Sequence, residues 1–364
     1  MALRAAFSGA LRKLFAVVCG WSVVACGGER APGSSPAVPE SAILVPSSIT
    51  RLVEPDTAFI GLPIYLAVSS RNEYLVVDRY SLRVSRFDSV GQFKGTFGRE
   101  GYGPNEFKQP AFLQLVDDTT ALVVDRLRRD FTLWNVNSSS VVARVPIEGE
   151  PGPFIAVGGS ITGAVFDRFR GTIAARWRRL DSAPEHLGTL PAAFAPTNRF
   201  ATIYGHIPFT IFQDSIAYLT GESNYMRIAD SLWIVVDSTA IPRRIRRGAP
   251  ETIDTALTAK TNIYDISRQL STPFAVHRLS NGRFAVLHLD YAVRNNLALG
   301  SMFLTILSKQ NSSRCTDILL PVHDSTAIPE VSFRGDTLFV LDQYILGERA
   351  VTDVLRFTLD LGVC

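Results

Sequence analysis

An apolar run closed by aspartate recurs along the chain, at Tyr74-Leu-Val-Val-Asp-Arg-Tyr80, Ala121-Leu-Val-Val-Asp-Arg-Leu127, Gly163-Ala-Val-Phe-Asp-Arg-Phe169 and Thr337-Leu-Phe-Val-Leu-Asp-Gln-Tyr344. In each, Arg or Gln follows the aspartate, and a large apolar residue follows that. Two abbreviated copies, Ile216-Ala-Tyr-Leu-Thr220 and Phe284-Ala-Val-Leu-His288, complete a set of six. Their spacing of roughly 40 to 70 residues restricts the fold more than any single residue does, because a repeat unit of that size must bury its apolar run against copies of itself.

Around each run, β-branched and aromatic residues in period-two alternation mark further strands. The first unit reads as Ile64 to Ser69, Glu73 to Val77, Arg83 to Phe87 and, after a turn at Gly91, Phe93 to Phe97. The second reads as Phe112 to Val116, Ala121 to Val124, Asp130 to Asn135 and Val141 to Pro146. Four short strands per unit predict an all-β six-bladed propeller, a ring of four-stranded antiparallel sheets. The composition suits it: 46% of the 364 residues are hydrophobic and 20% charged, enough to fill a large core. Helical patterning is confined to Ile253 to Leu270, inside the long gap between the fourth and fifth copies. The final unit, Glu330 to Phe333, Thr337 to Leu341 and Asp353 to Leu359, ends one strand short, whereas Ser48 to Val53 precedes the first unit and is spare. Pairing the two closes the ring and removes its edges.

The N-terminus carries Arg4, Arg12 and Lys13, no Asp or Glu through residue 25, and an apolar run from Leu14 to Ala25 that is too short to span a bilayer. Residues 1–25 therefore read as a signal peptide. Val23-Val-Ala-Cys26, followed by Gly27-Gly28, resembles the lipobox of bacterial lipoproteins, which implies cleavage before Cys26 and acylation of its thiol and new amine. Several acyl chains anchor a protein to the membrane stably, at about 0.8 kcal/mol per buried methylene. An ordinary secretory signal cut near Ala25 is the alternative. In an enteric-type sorting system, Gly27 rather than Asp after the cysteine points to the outer membrane. Residues 26–45, rich in Gly, Ser, Pro and Ala, read as a flexible tether, and 46–364 as the propeller. Without residues 1–25, 34 basic residues face 34 acidic ones, so no global field favours nucleic acid.

The junction Phe97-Gly-Arg-Glu-Gly-Tyr-Gly-Pro-Asn-Glu-Phe-Lys-Gln-Pro110 resembles the inter-blade connection of NHL-type six-bladed propellers, Gly-x-Gly-Pro-x-x-Phe-x-x-Pro. The resemblance implies that Phe107 plugs between blades and that Pro110 opens the next inner strand, where a missing amide is tolerated. Over residues 46–364 the chain is similar to bacterial six-bladed propeller lipoproteins. Related propellers include lactonases, phosphotriesterase-like enzymes and metal-dependent lyases as well as binding modules.

In such rings the turns from second to third strand and the connections between blades open on one face. That face is expected to carry Asp78-Arg79, Asp125-Arg126, Asp167-Arg168, Asp342-Gln343 and the Gly98 to Gln109 loop with Arg99 and Tyr102. The aspartates read as turn caps. The arginines admit two readings, recognition of a carboxylate or phosphate, or pairing with a neighbouring blade's aspartate. Arg243-Arg244-Ile-Arg246-Arg247 reads as a solvated basic run without interleaved aromatic residues, and the insertion from Gly248 to Thr272 as an excursion from the repeat that can carry function.

His277, His288 and Asp290 fall close together in the fifth unit, but two ligands without a clear third read as packing rather than a metal site. No motif for a metalloprotease, nucleophile elbow, redox dithiol, P-loop or EF-hand occurs. Cys19 leaves with the signal, Cys26 takes lipid, and Cys315 and Cys364 are left as a disulfide pair in an oxidising compartment. The chain is thus expected to be a lipid-anchored envelope propeller that binds a protein or a small anionic ligand through Arg79, Arg126, Arg168, Gln343, Arg99 and Tyr102, with no cofactor. A channel-centred metal-dependent hydrolase or lyase is the alternative.

Overall fold

A computed structural model describes residues 43–55, 59–167, 169–189, 208–219, 225–241, 271–294, 297–307, 315–323 and 329–359. Outside the described residues lie the signal segment and Cys26, Arg168, the basic run at 243–247, the helical patterning at 253–270, nearly all of the insertion, and Cys364.

The chain from Glu40 to Cys364 forms one compact unit built of six four-stranded antiparallel sheets. The first strand in the chain, β1 (Ser48–Arg51), belongs to the last blade. Blade 1 follows as β2 (Pro63–Val68), β3 (Tyr74–Asp78), β4 (Arg83–Phe87) and β5 (Phe93–Phe97). Blade 2 is β6 (Pro110–Asp117), β7 (Thr120–Asp125), β8 (Asp130–Asn135) and β9 (Ser140–Pro146). Blade 3 is β10 (Glu150–Val157), β11 (Ser160–Asp167), β12 (Thr172–Trp177) and β13 (Glu185–Leu187). Blade 4 is β14 (Phe209–Phe212), β15 (Ser215–Tyr218), β16 (Tyr225–Asp230) and β17 (Val235–Ala240). Blade 5 is β18 (Ser271–Arg278), β19 (Phe284–Arg294), β20 (Leu297–Leu307) and β21 (Ile318–Leu319). Blade 6 is β22 (Glu330–Arg334), β23 (Thr337–Leu346), β24 (Arg349–Thr358) and β1, so the N-terminal strand closes the ring. No α-helix occurs among the described residues.

The core explains why the second strands are so visible in the sequence. Six clusters of buried side chains each join two neighbouring blades, and the second strand of a blade divides its side chains between two of them. Ala121 and Val123 of β7 pack towards blade 1, whereas Leu122 and Val124 pack towards blade 3. Because successive side chains point to opposite faces and both faces are covered, such a strand must be apolar throughout rather than alternating. Between blades, polar contacts tie the rim opposite the Asp-Arg turns. Ser70 donates to Asp118, Ser280 to Asp336, and Arg334 reaches Ser69 and Asn72.

Two features depart from the sequence reading. Among the described residues strand pairing begins at Ile43, which bridges Leu319 of β21, so residues 43–45 run along blade 5 and are not part of a free tether. The larger departure is in two hairpins. In blade 1 the second and third strands part at the Asp78–Arg83 pair. In blade 6 pairing continues past the equivalent Asp342 for four more residues, Gln343 to Leu346, and in blade 5 past His288 for six more, Leu289 to Arg294. At strand rise these arms stand about 13 and 20 Å beyond the corresponding turns of blades 1 to 3.

Candidate functional site

Each inner strand has a proline at or close to its start: Pro63, Pro110, Pro151, Pro208, Pro273 and Pro329. An inner strand has a free edge towards the channel, where a missing N–H leaves no ladder bond unmade. In blades 1, 2, 3 and 5 the register shifts just after the proline, a bulge that turns the following residue out of the ladder. In blades 1 and 2 the residue so turned, Ile64 and Ala111, lines the mouth of the central channel, as does Glu330 after Pro329 in blade 6.

The aspartates of the repeat are turn and connection anchors. Asp78 accepts N–H bonds at 3.0 Å from Tyr80 in its own turn and from Leu62 in the connection entering the blade. Asp125 accepts from Lys108 and Gln109 of the connection and from Leu127 and Arg128 of the turn. Asp342 accepts from the backbone N–H of His323, whose ring Nδ1 lies 2.5 Å from the same carboxylate. Burial pushes the Asp342 carboxyl above its ordinary range, and the bond from His323 pulls against that shift.

With the aspartates so occupied, the arginines beside them are left over. Arg79 and Arg126 are exposed, and among the described residues neither makes a side-chain hydrogen bond or ion pair. In blade 3, where Arg168 lies outside the described residues, Arg170 bridges Asp167 at 2.6 Å and Glu148 at 2.7 Å. Arg79 and Arg126 line a cavity of about 330 Å³ at the channel mouth, together with Tyr65, Gln109, Glu330 and the apolar wall of Pro63, Ile64, Pro110 and Ala111. Burial raises the Glu330 carboxyl well above the ordinary carboxylate range. The Tyr65 phenol is likewise raised by burial and by the nearby Glu330 charge, while Arg126 and Arg79 pull it down.

Around this mouth the residue after each arginine is apolar and in water: Tyr80 is 76% exposed, Leu127 65%, and Phe169 fully exposed. Ile345 and Leu346, on the blade 6 arm, are also exposed. The loop from Gly98 to Gln109 adds Tyr102, with the Lys108 ammonium 4.2 Å from its ring centre, and Arg99, paired with Glu106. That loop is held from below. Arg128 and Arg144, both paired with Asp130, donate to the carbonyls of Gly103 and Pro104, and Phe107 is buried beneath Gly98. A Cβ at Gly98 would sit 2.1 Å from the Phe107 ring, and its φ of 77° is left-handed, so only glycine lets the plug seat.

The structure brings together Arg79, Arg126, Arg99 and Tyr102 on one rim. Gln343 is a correction: it is buried, and its amide donates to the Ile60 carbonyl and to Thr352, an internal tie rather than part of the face. His277 and His288 do not converge. His277 stacks on Phe333 and contacts the Gly335 carbonyl on the far rim, whereas His288 stacks on Phe303 beside Asp317. Asp290 lies two residues further along β19. Among the described residues no group of three or more potential metal ligands occurs. Tyr65, Glu330 and His323 carry no motif; the only sequence mark of the first two is the proline that opens their strands.

No protein-family model matches the chain, and no curated protein matches it. Solved structures do. A member of the DUF4221 family from Bacteroides vulgatus aligns with a TM-score of 0.60 at 9% identity, over 87% of this chain and 98% of that one. A protein of Bacteroides fragilis inferred to be exported aligns at 0.58 with 11% identity, over the same shares. Virginiamycin B lyase from Staphylococcus aureus aligns at 0.50 with 9% identity, over 85% of this chain and 99% of that one. At these identities the likeness is one of fold.

Proposed function

We propose that this protein is an envelope-located, lipid-anchored binding module whose partner protein docks on the face carrying Arg79, Arg126 and the Gly98 to Gln109 loop. The observation that carries the reading is the row of water-exposed Tyr80, Leu127 and Phe169, the first two each beside an arginine, Arg79 and Arg126, that is unpaired among the described residues, since repeats that needed only to fold would leave polar residues at turn tips. Arginine beside exposed aromatic and aliphatic groups is the composition of a protein-binding patch, and the charge fits an acidic partner surface. The lipobox-like Val23 to Cys26 supports the address, as does the inferred export of the Bacteroides fragilis structure. Cys315 is buried and disulfide-bonded, which fits an oxidising compartment. We assign its partner as Cys364; non-reducing peptide mapping should recover the two in one linked peptide, and a free Cys364 thiol would refute the pairing.

The docking reading is tested by in-cell photocrosslinking from position 80, with Val142 on the outer strand β9 as control. One protein captured from position 80 and not from 142, with capture falling about tenfold in Arg79→Ala/Arg126→Ala, is the expected result. Equal capture at both positions, or none at 80, would remove the assignment.

A further inference from the structure

We propose that the channel mouth is a receptor for a small zwitterion the size of an amino acid or dipeptide, its carboxylate held by Arg79 and Arg126 and its ammonium by Glu330. The proposal rests on the reading of this face as a binding surface and gives its centre a ligand of its own.

The first argument is the state of the charges. Arg79, Arg126 and Glu330 line one cavity, yet among the described residues none of the three makes a side-chain hydrogen bond or ion pair. Elsewhere on this rim several opposite charges are paired, as in Arg99 with Glu106, Arg128 and Arg144 with Asp130, and Arg170 with Asp167. Tyr65 lies between the two signs and feels both. A partly buried carboxylate without a counter-charge is costly, so burial favours the protonated form of Glu330 until a cation lies beside it; a ligand ammonium supplies that cation and draws the group to the carboxylate.

The second argument is internal to the repeat. The residue after the strand-opening proline is Ile64, Ala111, Gly152, Phe209 and Phe274 in blades 1 to 5, and Glu330 in blade 6. Five of the six blades fold with no ionisable group there, so the propeller does not require one. Two unpaired arginines on blades 1 and 2 and one acid on blade 6 converge because those blades are neighbours in the closed ring.

The ligand class follows. A simple anion would neutralise the arginines and leave Glu330 facing more negative charge. A simple amine would do the reverse. A molecule carrying both groups satisfies both ends. The apolar wall of Pro63, Ile64, Pro110 and Ala111 accepts a small apolar side chain, Gln109 adds an amide and Tyr65 a phenol for a polar one, and about 330 Å³ accommodates the whole.

The test is a calorimetric and thermal-shift screen of the purified protein with alanine, leucine, phenylalanine, glutamate, lysine and the dipeptide alanyl-leucine. Each binder is then compared with its N-acetylated and its C-amidated form. The expected result is at least one binder, losing roughly tenfold or more in affinity on either modification, because each leaves a charged protein group without its partner. Glu330→Gln, a change of charge at nearly constant shape, should bind the free and N-acetylated forms alike. Arg79→Ala/Arg126→Ala should bind free and C-amidated forms alike. No binding by any member of the panel, or equal binding of free and N-acetylated forms by the unaltered protein, overturns the proposal. Photocrosslinking from position 80 in Glu330→Gln separates the two readings: retained capture with weakened amino-acid binding shows that the docking face stands on its own, and amino-acid binding as tight as in the unaltered protein overturns the role of Glu330 whatever the capture.

Discussion

Deleting residues 43–53 is expected to abolish the monomeric fold. The segment supplies β1, whose Ser48 to Arg51 pair with Arg356 to Asp353 of β24, and its loss leaves the outer edge of blade 6 bare. It also supplies Leu52, buried in the cluster that joins blades 6 and 1, and Leu44, which packs on the cluster joining blades 5 and 6. Arg51 adds a two-pronged bond to Asp353, reinforced by the Tyr344 hydroxyl, which donates to the same carboxylate. These contacts together amount to something on the order of 5 kcal/mol, comparable to the whole stability of an ordinary domain. Size-exclusion chromatography and thermal melts of the truncated chain should show oligomers and no cooperative transition, and a synthetic peptide of residues 43–55 should restore the monomer. Arg51→Ala alone should cost little, because its side chain is half exposed. A monomeric truncated protein with an unchanged melting temperature would mean that the ring is closed by something other than β1.

Trp134→Ala is expected to cost about 3 to 5 kcal/mol, the second large effect. The indole is fully buried between blades 1 and 2, with ring centres of Phe97 and Phe107 at 5.0 and 5.4 Å. Its removal therefore leaves a cavity and frees the plug that seats the Gly98 to Gln109 loop. Chemical denaturation should show the lower midpoint at an unchanged slope. The indole N–H makes no hydrogen bond to the described residues, so Trp134→Phe should cost much less than Trp134→Ala. Equal costs for the two variants would show that the N–H, not the filled volume, is what the site needs.

What could be read from the chain divides along the same physical lines. The second strands were legible because both faces are buried, which forces uninterrupted runs such as Leu122 to Val124. Outer strands such as β13, β17 and β21 are short or exposed and leave little pattern. Arg79 and Arg126 were legible because the repeat marks them. Glu330 and Tyr65 were not, because a channel residue is set by what the ring's centre holds and not by blade-to-blade packing. Gln343 was misplaced for a related reason. In blades 1 and 2 the chain turns back after the aspartate and its successor faces water, but in blade 6 pairing runs on, and Gln343 becomes an interior strand residue opposite Thr352. The hairpin arms themselves were hidden, since a lengthened strand pair looks like any other alternating stretch until its register is known.

Those arms break the sixfold likeness of the blades where a partner would arrive. Blades 5 and 6 raise a parapet along one arc of the rim, while blades 1 and 2 leave the adjoining arc low beside Arg79 and Arg126. A body settling on an evenly built ring could sit in any of several orientations related by rotation about the axis. Here the raised arms mark one side of the ring, so that a partner docking on the proposed face would meet a rim with an index mark and not six equivalent settings.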